Sequence, residues 1–221
     1  MHFDVITIFP KIFGAYFRES ILKRAEDRGV IAFGIYNPRD YTADASRRVD
    51  ERAYGGGPGM VIRAEPIAKA IGSALKDKKF KDLKRTKIIL LSAGGRQFTA
   101  KMAAGWAKKY DRLIMIAGRY EGVDARIKKI YKMEEVSVGP YVVTGGELPA
   151  LIVIDAVARH VFGVLGKNES LEERRFGVGV PVYARPEALK WRGKKYRVPK
   201  VLLSGDHKKI ALWRKAKIVK K

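Results

Sequence analysis

Gly118-Arg119-Tyr120-Glu121-Gly122 and Ser137-Val138-Gly139-Pro140-Tyr141-Val142-Val143-Thr144-Gly145-Gly146-Glu147-Leu148-Pro149 are the stretches of this chain best suited to hold a small molecule. Glycine permits positive φ and leaves no Cβ in the way of a ligand. Each stretch follows a short apolar run that reads as a strand. Both are therefore expected at strand C-terminal ends, where open α/β sheets bind ligands. One such loop is as readily a tight turn; two at successive strand ends point to a site. A third cluster, Tyr54-Gly55-Gly56-Gly57-Pro58-Gly59-Met60, follows the charged run Arg47–Arg52. It reads as a flexible loop, or as a lid that closes on a base or a backbone. Other chemistries lack their residues. Neither a dinucleotide fingerprint nor a P-loop spacing occurs, and nothing resembles a nucleophile elbow. His2, His160 and His207 never pair at i, i+3 or i, i+4, so no metal cluster is expected. The absence of cysteine excludes disulfide and thiolate chemistry and fits a cytoplasmic protein.

The elements that must position these loops alternate in type. Strands are predicted over 2–9, 31–36, 87–92, 112–117 and 135–139. Helices are predicted over 10–24, 66–76, 99–109, 123–131 and 148–162, with Thr99 as an N-cap and Pro66 and Pro149 in first turns. Regular β–α alternation predicts an α/β fold: a parallel sheet with helices on both faces. After Gly166 the character changes. The organisation read here is a domain over 1–166, a linker over 167–179 and a small, mainly helical basic module over 180–221. In the module's last segment, Ile210, Trp213 and Ile218 form an anchoring stripe on a lysine-rich background. Lys208 and Arg214 belong to its phosphate-facing side.

The formal net charge of +23 exceeds anything solubility requires and points to a polyanionic partner, most often nucleic acid. Its distribution sharpens the point: residues 167–221 hold 17 Lys and Arg against 5 Asp and Glu. The longest apolar region, Leu148–Leu165, is interrupted by Asp155, Arg159 and His160, so no membrane span is expected. Nor does the start at Met1 read as a signal peptide.

Taken together, the motifs carry a resemblance. Gly118–Asp124, Val138–Ala150, Arg159, Gly163–Gly166, Tyr36–Asp40, Tyr54–Met60, Tyr183–Glu187 and Val201–His207 are similar, in order and character, to the bacterial tRNA (guanine-N1)-methyltransferase family. That family belongs to the knotted, S-adenosylmethionine-dependent RNA methyltransferases. The resemblance implies a trefoil-knot ligand site, a homodimer, tRNA as partner with no DNA expected, and methylation of the guanosine 3′ of the anticodon. S-adenosyl-L-methionine would lie among Gly118, Tyr120, Val138, Gly139, Pro140, Tyr141, Val142, Val143, Gly145 and Gly146. Leu91, Ser92 and Gly95 would join them, and Glu121 would lie near the donor's amino end or bound solvent. Asp50, Tyr54 and Gly57 would meet the RNA. Whether magnesium assists stays open. Guanine N1 carries a proton that a base must remove, and charge then builds on O6, where a cation helps. Arg159 is the implied cation, although an i, i+4 pair with Asp155 is the ordinary alternative. The family supplies the base as an aspartate two residues before a phenylalanine. Here Phe176 marks that point and Arg174 stands at the aspartate's place. An arginine is no base at neutral pH, so Glu173, ahead of Glu172, is the expected acceptor. The readings kept beside this one are an RNA-binding protein of the same fold without catalysis, and a knotted methyltransferase with another RNA target.

Overall fold

Side-chain alternation along the strands sets the architecture of the first unit. In the computed structural model, which describes residues 1–77, 82–166 and 179–218, the chain divides into Met1–Leu165 and Gly166–Lys221. The first unit carries β1 (His2–Ile6), β2 (Ala32–Tyr36), β5 (Thr86–Gln97), β6 (Arg112–Ala117) and β7 (Glu134–Ser137) in one sheet, ordered β2-β1-β6-β5-β7. Every pairing in it is parallel. On β6, Leu113, Met115 and Ala117 enter one core, while Ile114 and Ile116 enter the other. That period of two buries a strand on both faces. The first core is closed by α1 (Lys11–Phe17), α2 (Ser20–Asp27), α4 (Ala100–Lys109) and α6 (Glu147–Ala158), the second by α3 (Ala64–Leu75) and α5 (Ile127–Ile130).

Local departures from the expected elements have local causes. The helix expected over 10–24 is two helices, because Glu19 is extended and Ser20 takes a positive φ of 50°. The helix expected over 123–131 shrinks to the four residues of α5; Asp124 instead caps a turn by accepting from the Arg126 amide at 2.9 Å. Thr99 caps α4, accepting from the Met102 amide at 3.2 Å. The charged run before the glycine cluster becomes β3 (Asp50–Arg52), paired antiparallel with β4 (Met60–Ile62), so Tyr54–Gly59 is a hairpin tip. β5 is longer than expected. Its register on β7 jumps between Leu91 and Arg96, and both face Val136. Residues 92–95 are thus set out from the ladder as a bulge, a device that re-aims side chains beside sites.

The second unit has a feature the sequence reading did not contain. β8 (Ala188–Trp191) and β9 (Lys194–Arg197) form an antiparallel hairpin ahead of α7 (Lys200–Leu203) and α8 (His207–Ala216). On α8, Ile210, Trp213 and Arg214 are half-buried, while Lys208 is exposed. Ile218 lies beyond the helix and is exposed. The expected anchoring stripe is therefore two residues deep, and Arg214 sits beside it.

Candidate active site

The C-terminal ends of β5, β6 and β7 meet around a cleft of about 350 Å³. Three segments line it: the β5 bulge, the loop after β6, and the loop between β7 and α6. Among the expected donor-binding residues, the structure brings Leu91, Ser92, Gly118, Tyr120, Glu121, Val138, Tyr141, Val142, Val143, Gly145 and Gly146 to its wall. Gly95, Gly139 and Pro140 are not part of it; Gly94 lines the bulge side instead. Gly95 sits where a Cβ would meet the backbone of Glu135 and Val136, and a Cβ on Gly139 would meet the Tyr141 ring.

These glycines do something other than leave room for a ligand. Gly146 has an ordinary φ, yet a Cβ there would lie 2.6 Å from the Cα of Ala117. Its amide donates to the Gly118 carbonyl at 2.8 Å. One loop thus presses backbone against backbone on the other, and only glycine allows that approach. The β3–β4 hairpin is stitched to the same loop: the Ile62 amide donates to Gly122 O, the Asp124 amide to Ile62 O, and the Glu121 amide to Met60 O, at 2.9–3.0 Å. Gly59, at φ 96°, lies against Glu121; a Cβ there would be 2.6 Å from Oε1.

Charge beneath the cleft is organised by Glu147, the first residue of α6 and 1% exposed. Its carboxylate accepts from Thr7 Oγ1 at 2.8 Å and from Arg119 Nε at 2.7 Å. Arg119 also donates to Thr144 O at 3.3 Å and stacks over the Phe9 ring at 4.7 Å. An acidic group in the first turn suits the helix dipole. Sequence reasoning missed this cluster. Its one visible signal was a charged residue inside each glycine-rich motif, and spacing alone does not pair residues 28 positions apart. On the cleft's outer wall, Lys128 donates to Glu135 at 2.6 Å. Near the loop after β6, hydrogen bonds from the Arg126 guanidinium hold the Asp124 carboxyl below its ordinary range.

The other expected residues lie elsewhere. Asp50 opens β3, Tyr54 is fully exposed at the hairpin tip, and Gly57 takes φ 103° beside it. Arg159 is half-buried and caps the far end of α6, its amide donating to Asp155 O at 3.2 Å. Pro149, in the first turn of α6, lines the cleft, and the helix runs on from it to Arg159, about 15 Å at 1.5 Å per residue. Within one chain, Arg159 and the cleft are therefore not brought together. Glu172 and Glu173 lie outside the described residues. Among the described residues, no three His, Cys, Asp or Glu side chains converge as a metal site, and no helix is long and apolar enough to cross a membrane.

The family model described as tRNA (Guanine-1)-methyltransferase TrmD matches residues 1–221. The chain belongs to this family. Curated relatives bearing the name tRNA (guanine-N(1)-)-methyltransferase agree with that placement. The one from Dictyoglomus turgidum is 46% identical over 224 residues, spanning 100% of this chain and 86% of its own length. Those from Carboxydothermus hydrogenoformans and Colwellia psychrerythraea are 44% and 47% identical over 218 residues, each spanning 97% of this chain and 81% and 85% of the relative.

Proposed function

We propose that this chain is a tRNA methyltransferase that moves a methyl group from S-adenosyl-L-methionine to N1 of the guanosine 3′ of the anticodon, in the cytoplasm. The observation that carries the reading is the cleft itself, walled by backbone-rich loops at three parallel strand ends, in a chain matched to the TrmD family along its whole length. The cleft's size falls within the range of small-molecule sites. Its wall mixes apolar Leu91, Val138 and Val142 with the polar groups of Ser92, Glu121 and Thr144. That suits a donor with an adenine to enclose and a ribose and amino acid to orient. The reading includes a knotted path, which calls for close approach of neighbouring loops such as that of Gly146 to the backbone of Ala117 and Gly118.

When bound, the donor supplies an electrophilic methyl group on a sulfonium; the chain must supply the rest. A carboxylate in the 167–178 segment, Glu173 ahead of Glu172, takes the N1 proton. Arg159 stabilises the charge that develops on O6. Asp50, Tyr54 and Gly57 of the β3–β4 hairpin meet the RNA near the cleft. The basic 180–221 module, with Lys208 and Arg214, holds the tRNA through its phosphates.

The site takes both copies of a homodimer. Arg159 stands a helix length from its own cleft, so a second copy is the route by which an arginine reaches it. An apolar patch supports that assembly. Ile12 and Tyr16 on α1, and Leu148 and Ile152 on α6, are exposed at i, i+4 spacing, and Phe9 lies beside α1. α6 is apolar almost all round, the pattern of a helix meant to be covered. Across the patch, burial, then the charge of Asp155 and a hydrogen bond to it, raises the Tyr16 hydroxyl above its ordinary range.

The test is methyl transfer from labelled donor to a tRNA transcript carrying guanosine 3′ of the anticodon, beside one carrying adenosine there. Transfer to the first alone supports the reading. Donor binding by calorimetry with no transfer to either transcript favours the RNA-binding alternative.

A further inference from the structure

The β8–β9 hairpin of the second unit is built unlike a connector. Its two-residue turn, Arg192-Gly193, has φ of 47° and 75°, the positive-φ pair of a tight hairpin turn. Leu189 pairs with Tyr196 and Trp191 with Lys194. Directly opposed residues share a face, and alternate residues on a strand do too. One face therefore presents Leu189, Trp191, Tyr196 and Lys194. The other presents Lys190, Lys195 and Arg197. The three apolar side chains of the first face are 57%, 61% and 54% exposed. Lysines on an edge strand are an ordinary guard against aggregation. They do not explain two exposed aromatics and a leucine gathered on one face. Among the described residues, only Glu187, bridged to Arg197 at 3.4 Å, offsets the five cations of residues 190–197.

Aromatic side chains in a row beside cations are how proteins hold unpaired nucleotides: bases stack on the rings and phosphates meet the charges. We infer that the Leu189–Trp191–Tyr196 face of this hairpin is a stacking platform for unpaired bases of the RNA substrate, with Lys194 on the same face and Arg192 in the turn meeting the neighbouring phosphates. This rests on the reading of tRNA as substrate and adds to it a recognition of unpaired nucleotides by the hairpin.

The experiment uses the full-length chain and three variants, Trp191→Ala, Tyr196→Ala and Trp191→Phe, each checked for unchanged thermal unfolding. Affinities are measured for the tRNA transcript and for a short single-stranded oligonucleotide, with methyl transfer and sedimentation run alongside. Removing either ring is expected to weaken both RNAs at least fivefold, about the loss of one stacked base. The slope of affinity against salt should stay unchanged, since no phosphate contact is removed. Trp191→Phe should bind nearly as the parent does, and RNA should quench tryptophan emission less in that variant than in the parent. Unchanged RNA affinity in both alanine variants overturns the inference. So does a change in sedimentation without a change in RNA affinity, which makes the hairpin a protein–protein surface. A parent chain that loses oligonucleotide affinity on ring removal yet transfers no methyl group overturns the methyltransferase reading while supporting the platform.

Discussion

Glu147 shows how single residues set the geometry of the cleft. It is buried, it begins α6, and through Arg119 it ties the loop after β6 to the loop before α6. Glu147→Gln would leave the half-buried Arg119 guanidinium facing a neutral amide. A broken buried hydrogen bond costs about 1–3 kcal/mol, so thermal unfolding should move to lower temperature. The affinity for S-adenosylmethionine, read by calorimetry, should fall as well, because both loops line the cleft proposed for the donor. An unchanged affinity would leave Glu147 a purely structural group. Gly146→Ala is the sharper probe. Its Cβ would press on the backbone of Ala117, which does not give way as a side-chain end would. Donor binding is expected to be lost, with unfolding displaced downward. The proton acceptor is tested separately. Glu173→Gln should slow single-turnover methylation by about a hundredfold or more, the usual reach of a general base, with little change in tRNA affinity. Full rates in both Glu173→Gln and Glu172→Gln would place the base elsewhere.

At the scale of elements, the two fixtures flanking the sheet behave differently from the cleft. Thr99→Ala removes the α4 cap and should cost about 1 kcal/mol in denaturant unfolding, while donor affinity stays as it was. Asp124 and Arg126 give a pH signature. The folded carboxyl sits below its ordinary value, so its stabilisation is present above about pH 4, the usual carboxylate range. It is lost as acid protonates Asp124. The stability difference between the parent and Arg126→Ala should therefore be full at neutral pH and vanish in acid; a difference persisting in acid would point to lost packing instead. Much of this layer was legible in the sequence. Apolar runs such as Arg112–Ala117 alternate between two cores, and a cap such as Thr99 is a local signal. What escaped was non-local. The β5 bulge exists because Leu91 and Arg96 both face Val136, and the β3–β4 ladder joins residues across a glycine cluster that reads locally as a loop. The 10–24 helix failed at a backbone angle, the positive φ of Ser20, that side-chain periodicity does not encode.

For the whole molecule, the glycine loops were found from composition, but their physical role was not. Gly95, Gly145 and Gly146 admit the chain's own neighbouring groups, a fact that exists only once the loops are packed. Arg159 shows the same limit from the other side: its type suggested chemistry, and only the fold puts a helix between it and the cleft. A dimer completed by the partner's arginine makes a prediction. Mixed dimers of Arg159→Ala with Gly146→Ala chains should regain part of the methyl transfer that each variant lacks alone. Activity that stays absent after subunit exchange would count against a shared site. The charge of the second unit predicts tRNA affinity that falls steeply with salt. Removing 180–221 should take most of that affinity and leave donor binding largely intact.

The identity of the modified nucleoside decides whether this chain methylates guanine N1. The parent chain is incubated with S-adenosylmethionine and a tRNA transcript, the RNA is digested, and the nucleosides are resolved by mass spectrometry. The expected product is 1-methylguanosine, mapped to the guanosine 3′ of the anticodon and lost when that guanosine is replaced. Methylation at another atom or another nucleotide, or none despite bound donor, would contradict it.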